Sequence, residues 1–365
     1  MSITNLSTEL LQNIYECCDL IDILHLSQTS RKNRDALRGQ YIPLLRRALD
    51  DVYGPIPGLV KLVISDESKA RSVIGTGIRR NAAVDRILQV SDEPHLSIQL
   101  MSKMIKFGRV ASRWVEIFPQ FRWRHDYQNR RFLWPHEQRR LRRAIYHYWT
   151  YGNLFHDRIY NQFDQTSPSE DTSNDPRLRL MTSYTTIEMV QLNEYIQHVV
   201  KLIEIDLYPS DLVIQSQHNL TSHEVEKIAW GYGDQYRDLV KDLLKYTPLD
   251  LVYLYDQTST KLERAEYMFT QGFAFNNAPA TLDQALTCVT QRRRSHAFDS
   301  KDFSSSHPFA THQFHLVMYQ SHDSCVQGEN VKFGIADHPD EESYSNDHLF
   351  NNDGEIVLSG EMVER

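Results

Sequence analysis

Between Leu6 and Leu37 the apolar positions come in three short bursts separated by polar punctuation. Leu10, Leu11, Ile14 and Tyr15 recur by threes and fours, which places them along one side of a helix, and Ser7 or Thr8 stands where a side-chain oxygen caps its first amides. Leu20, Ile23, Leu24 and Leu26 follow behind Asp19, and a third helix opens at Ser30 and turns Arg31, Lys32 and Arg34 outward. Roughly forty residues cannot close a core alone. These apolar faces therefore rest partly on later parts of the chain or on another protein.

The same spacing continues along the chain. It predicts a helix over Ile42 to Val52, broken by the turn Gly54-Pro55-Ile56-Pro57-Gly58, and then two or three short helices from Lys69 to Phe107, broken near Gly75-Thr76-Gly77 and at Glu93-Pro94. Pro135 opens a helix to about Arg158, with Leu141, Ile145, Tyr148, Gly152, Phe155 and Ile159 in one narrow stripe. The stretch Asp164 to Pro176 contains no apolar side chain and reads as a flexible surface loop. Capping boxes at Thr185-x-x-Glu188, Thr221-x-x-Glu224 and Thr281-x-x-Gln284 open three more helices. The first of these, carrying Met189, Leu192, Ile196, Val199, Ile203 and Leu207 up to Pro209, is expected to be the longest buried one. Segments around Tyr236 to Leu244, after Pro248, and from Leu262 to Phe269 complete the set. No fixed-period repeat is present.

Composition adds two constraints. An apolar fraction of 41% with 11% aromatic residues supports a buried core, and four scattered cysteines (Cys17, Cys18, Cys288, Cys325) suggest no disulfide framework. The formal charge of −8 lies entirely in the tail, because Gly334 to Arg365 carries nine acids against Arg365 alone and leaves residues 1–333 neutral. Such a tail is expected to be solvated, although the apolar runs at Phe314 to Tyr319 and Ile356 to Leu358 are able to form strands. Neither an N-terminal secretion signal nor a membrane-spanning run stands out, so the chain reads as cytosolic or nuclear.

Residues 107–160 hold Trp114, Trp123, Trp134 and Trp149, no lysine, and a series of arginines that includes Arg122, Arg124, Arg130, Arg131, Arg139, Arg140, Arg142 and Arg143. Arginine interleaved with aromatic rings is one way to hold single-stranded nucleic acid. A neutral body with an acidic tail lacks the electrostatic footprint for it, which favours a core reading. Arg139 and Arg140 lie in a first helical turn, where the dipole disfavours cations, and are expected to pair with carboxylates.

Catalytic signatures are sparse. His223-Glu224-x-x-Lys227 lacks the second histidine of a zinc-protease helix, and His307, His312, His315 and His322 read as surface histidines rather than a metal site. No nucleophile elbow, Walker loop or paired CxxC occurs. No catalytic residue, cofactor or metal is therefore assigned. Arg292-Arg293-Arg294-Ser295 is a faint basophilic kinase or nuclear-address signal.

The run Leu6-x-x-Glu9-Leu10-Leu11-x-x-Ile14, then Asp19-Leu20-x-x-Ile23-Leu24-x-Leu26-Ser27-x-x-Ser30-Arg31, resembles an F-box, the module by which substrate receptors dock onto the Skp adaptor of SCF (Skp, cullin, F-box) ubiquitin ligases. The resemblance covers about a tenth of the chain. Carried over by position, it implies that Leu6, Leu10, Ile14, Leu20 and Leu24 enter grooves of the adaptor. Ser7 stands where the family usually has proline, a departure that a serine cap can replace. Five buried aliphatic side chains contribute on the order of 8 to 15 kcal/mol gross, similar to the cost of association, so docking requires most of them together. Trp134-Pro135 with Arg139-Arg140-Leu141-Arg142-Arg143-Ala144-Ile145-Tyr146-x-Tyr148-Trp149 further resembles a helix of fungal F-box proteins and implies no particular substrate.

The expectation is a mostly α protein: a three-helix F-box module in residues 1–53, an irregular multi-helix domain in 59–292 with a flexible loop at 164–176, and a poorly structured acidic tail in 293–365. The implied function is a non-catalytic substrate adaptor that binds the Skp adaptor and, through it, cullin, and presents an unknown protein for ubiquitination. A helical nucleic-acid binder using residues 107–160, and an F-box scaffold acting outside the ligase, are the alternatives.

Overall fold

A computed structural model describes residues 6–18, 20–38, 41–70, 77–156, 175–218, 220–271, 280–299, 316–319, 335 and 355–358. Three short helices come first, α1 (Thr8–Cys17), α2 (Leu20–Thr29) and α3 (Arg31–Arg38). They are followed by α4 (Tyr41–Tyr53), α5 (Ile56–Ala70), α6 (Gly77–Leu88), α7 (Ile98–Arg122) and α8 (Pro135–Phe155). The remainder is α9 (Pro176–Thr182), α10 (Thr186–Lys201), a π-helical turn Leu202–Leu207, α11 (Asp211–Gln217), α12 (Ser222–Ile228), α13 (Gly233–Leu243), α14 (Pro248–Gln257), α15 (Lys261–Thr270) and α16 (Leu282–Asp299). Leu316–Tyr319 and Glu355–Leu358 pair antiparallel, Leu316 opposite Leu358. The fold is mostly α.

Helix α8 is the axis of the body. It was expected to bury one stripe, but every residue from Ala144 to Phe155 is buried, because α5, α7 and α10 pack around it. A helix covered all round must satisfy its polar tips internally. Tyr146 Oη donates to the Tyr53 carbonyl at 2.6 Å, Tyr148 Oη to the Leu244 carbonyl at 2.6 Å, and Tyr151 Oη lies 2.9 Å from Thr281 Oγ1.

Several boundaries differ from the sequence expectation. The prolines at 55 and 57 end α4 but also open α5, a helix that pattern reasoning missed. Pro57 sits in its first turn, where an amide would lack a partner anyway, and the Ile56 amide donates to Asp50 Oδ1 at 3.1 Å. Helix α5 packs closely on α8 at Gly58, where an added Cβ would stand 3.2 Å from the Tyr146 ring. Helix α7 is one continuous element of 25 residues and α8 has 21, so the 16-residue α10 is not the longest buried helix. The α10 pattern does continue toward Pro209, but through the π turn. Asp175 and Pro176, placed in the loop by composition, start α9: Asp175 caps the Arg177 amide and pairs with the buried Arg177 guanidinium at 2.6 Å. The rest of that loop, residues 164–174, lies outside the described residues, as do the four tail histidines and Cys325.

The boxes at Thr185 and Thr221 form reciprocally. The third does not. Thr281 gives its amide to His156 Nε2 at 3.3 Å, leaving Gln284 Oε1 without a partner among the described residues. Ile335, in the acidic C-terminal part, is buried against the body, and its amide donates to the Glu194 carboxylate.

Candidate adaptor-docking surface

Helix α1 starts because Ser7 holds an extended backbone and its hydroxyl accepts from the Leu10 amide at 3.4 Å. Serine thus caps the helix at the position where the family usually has proline. Glu9, fully exposed in the first turn, is held below the usual carboxylate range by its own backbone amide and by the Ser7 hydroxyl.

The apolar side of α1 is divided. Leu11 and Tyr15 are buried, with Ile23 of α2 and Ala36 of α3 also among the buried apolar residues of these helices. Tyr15 Oη donates to the Asn33 carbonyl at 3.1 Å, and Asn33 Nδ2 donates to Thr29 Oγ1 at 2.8 Å. Burial pushes the Tyr15 phenol pKa up. Gln12 Nε2 reaches the Ala36 carbonyl at 3.4 Å and Lys32 Nζ the Leu6 carbonyl at 2.7 Å, so α3 is tied to α1 at both ends. This inner side continues into the body: Tyr15 and Ile23 belong to the same core as Leu45 and Leu49 of α4.

The other ridge faces out. Leu10 is 51% exposed and Ile14 half-buried one turn on along α1, and Leu6, half-buried, stands just ahead of the Ser7 cap, so three of the five positions singled out by resemblance are at least partly open. Leu20 and Leu24 lie in α2, and their side chains are outside what is described. Leu10 and Ile14 were expected to share a face with Leu11 and Tyr15; the helix instead puts the two pairs on adjacent ridges, one covered and one open.

Residues 3–44 match the model of the F-box domain family. The chain carries an F-box domain at its N-terminal end. No curated protein and no solved structure matches it. Within this F-box protein the match ends in the first turn of α4, so the family module covers α1–α3 and the start of the helix on which they rest.

The tryptophan and arginine block is largely structural. Trp114, Trp123 and Trp149 are buried, with Trp114 Nε1 donating to the Pro248 carbonyl at 3.0 Å and Trp149 meeting Phe107 edge to face at 4.9 Å. Such rings are not available for base stacking. The arginines bind carboxylates of distant elements: Arg122 to Glu194, Arg124 to Asp206, and Arg139 to Asp50 at 2.7 Å as the dipole argument requires. Arg143 Nη2 donates to Gln191 Oε1 at 2.8 Å. Sequence reasoning missed the exposed aromatic residues of the loop between α7 and α8, among them Tyr127 and Phe132. The apolar run Phe132-Leu133-Trp134 ahead of Pro135 was the available signal.

Among the described residues no group of three or more histidine, cysteine, aspartate or glutamate side chains is arranged to hold a metal, and no helix is long and apolar enough to cross a membrane. Cys17, Cys18 and Cys288 form no disulfide among the described residues.

Proposed function

We propose that this F-box protein is the substrate-recognition subunit of an SCF-type ubiquitin ligase in the cytosol or nucleus. Its outer ridge, Leu6, Leu10 and Ile14, docks on the Skp adaptor together with Leu20 and Leu24, which the family resemblance assigns to the same contact, and its helical body presents a protein substrate. F-box domains generally bind that adaptor and F-box proteins generally act without catalysis of their own. The observation that carries the reading is the half-exposed Leu10 beside the wholly buried Leu11. The module has enough inner side chains to fix it on the body and leaves an apolar ridge over, as a docking element needs. Ubiquitin transfer belongs to the other ligase subunits, and this chain contributes proximity, raising the effective concentration of substrate beside them.

The test is reconstitution from purified components. The full chain is expected to co-elute with the Skp adaptor and, when cullin is added, to form a ternary complex. Absence of adaptor binding would overturn the assignment. Adaptor binding that excludes cullin would make the chain a scaffold outside the ligase.

A further inference from the structure

The loop joining α7 to α8 presents three large aromatic side chains to solvent although its backbone is firmly held. Tyr127 is 73% exposed, Phe132 87% and Trp134 58%. From the size of aromatic side chains this amounts to on the order of 400–500 Å² of exposed aromatic surface on one loop, an amount that a monomer seldom exposes without an interaction to serve.

The support beneath is built for rigidity. Arg131 donates to both oxygens of the fully buried Glu137 at 2.6 Å and to the Phe132 carbonyl at 3.1 Å. Its guanidinium lies 5.2 Å from the Trp123 ring centroid and 5.7 Å from that of Trp134. Glu137 also accepts the Trp134 amide at 2.6 Å, and Gln138 Nε2 donates to the Leu133 carbonyl at 2.9 Å. Exposure alternates over residues 130–134, with Arg130, Phe132 and Trp134 exposed, Arg131 half-buried and Leu133 buried, which is the period of an extended chain, and Trp134 itself has an extended backbone. An extended chain repeats its outward side chains about every 7 Å, so this ridge matches the same-side spacing of another extended segment.

Charge selects the partner. Residues 122–143 contain eight arginines and only two acids, Asp126 and Glu137. Distant carboxylates reach Arg122, Arg124, Arg139 and Arg143, whereas Arg130 is exposed and forms no ion pair among the described residues. We infer that the Arg130, Phe132 and Trp134 ridge is the substrate-docking surface, and that it takes an extended protein segment alternating acidic with bulky apolar side chains. The inference rests on the ligase reading above for the word substrate. Arginine, tyrosine and tryptophan are the side chains that most often anchor interfaces, and a pre-held ridge forfeits little entropy on binding.

The test uses the full chain, alone and with the Skp adaptor, and fluorescently labelled probes followed by anisotropy. The probes are a short peptide alternating glutamate with phenylalanine and leucine, the same peptide with lysine for glutamate, one with serine for the apolar residues, and oligothymidine. Saturable binding of the glutamate and apolar probe alone is expected, weakened at least about tenfold by Arg130→Glu and by Phe132→Ala, a modest anchor loss, with adaptor capture unchanged in both. Leu10→Asp is expected to lose the adaptor yet keep the probe, which separates failure of this inference from failure of the ligase reading. No saturable binding, equal binding of the lysine or serine probe, or binding untouched by both variants would overturn it. Oligothymidine binding that depends on Arg130 and Phe132 would replace it with the nucleic-acid reading.

Discussion

Leu10 and Leu11 are neighbours in sequence, yet aspartate at each should do opposite things. Leu10 is half-exposed, so only the covered half of its transfer free energy is at stake in the free protein, about 1 kcal/mol. A carboxylate two residues inside the start of α1 (Thr8–Cys17) recovers roughly 0.3–1 kcal/mol from the helix dipole. Leu10→Asp should therefore fold as the native chain does. In the proposed docking the same carboxylate enters an apolar groove, where an unpaired buried charge costs about 3–5 kcal/mol and weakens binding more than a hundredfold. Leu11 has no exposed surface, so Leu11→Asp loses the whole side chain's transfer energy and strands a charge between α1 and α3. That sum, on the order of 5 kcal/mol or more, approaches the stability of an entire domain.

Titration calorimetry with purified Skp adaptor, run beside circular-dichroism melting, separates the two. The expected result is Leu10→Asp with native melting and adaptor affinity beyond detection, and Leu11→Asp with a lost or much lowered transition. Native affinity in Leu10→Asp would remove the outer ridge from the interface. Early melting of Leu10→Asp alongside Leu11→Asp would show that the α1 surface is not divided as described.

Three further outcomes follow from the body. Gly108→Ala gains roughly 1 kcal/mol of helix propensity, but its Cβ would come 2.5 Å from Cγ of Tyr53, whose carbonyl is held by the buried Tyr146 hydroxyl. Overpacking of about 1–3 kcal/mol wins, so the melting temperature should fall by a few degrees, and a rise would contradict the contact. Burial holds the pKa of His147 down to about 4 and that of His198 to about 4, while burial together with the Lys245 and Arg177 cations holds His156 down to about 3. The unfolded chain takes up protons near pH 6.5 and the folded one does not, so stability is complete above that pH and declines as pH falls toward the folded values. At pH 5.5 the loss is about 1 kcal/mol per histidine; melting should drop between pH 7.5 and 5, and His147→Phe should flatten part of that drop. Thr185→Ala removes the hydroxyl that accepts the Glu188 amide at 3.2 Å and should cost about 1 kcal/mol, readable as a shifted denaturant midpoint.

Much of this architecture is readable from local pattern, because the signals involved are local. A hydroxyl three residues before a carboxylate makes the boxes at Thr185 and Thr221, and Pro135 opens α8, whatever packs outside them. The misses share a different cause. The third box fails because His156, more than a hundred residues earlier in sequence, takes the Thr281 amide first. Helix α5 was hidden by prolines that read as a stop for α4 and serve equally as a start. The all-round burial of α8 depends on three partner helices, and no periodicity announces how many neighbours an element will have. The division of α1 is the same problem on a smaller scale: Leu10, Leu11, Ile14 and Tyr15 form one apolar arc by spacing, and only α2 and α3 decide which half is covered.

That decision also bears on how an adaptor of this kind would work. Proximity raises a transfer rate only when the docked end and the presenting end hold a fixed relation, since slack between them dilutes the effective concentration. Among the described residues the inner F-box side chains pack directly on the body. Tyr15 and Ile23 share a core with Leu45 and Leu49 of α4, and α4 in turn packs on α7 and on α5, which flanks α8. The loop carrying Arg130, Phe132 and Trp134 springs from the end of α7 and the start of α8, and Arg139, the fifth residue of α8, pairs with Asp50 of α4 at 2.7 Å. The helix that supports the F-box therefore also holds the base of the aromatic ridge. Breaking that pair with Asp50→Asn should leave both binding surfaces intact and loosen only their mutual orientation. The expected signature is unchanged affinity for the adaptor and for the acidic peptide probe, with slower ubiquitination of a substrate tethered through that peptide in a reconstituted ligase. A native rate would show that orientation is set elsewhere.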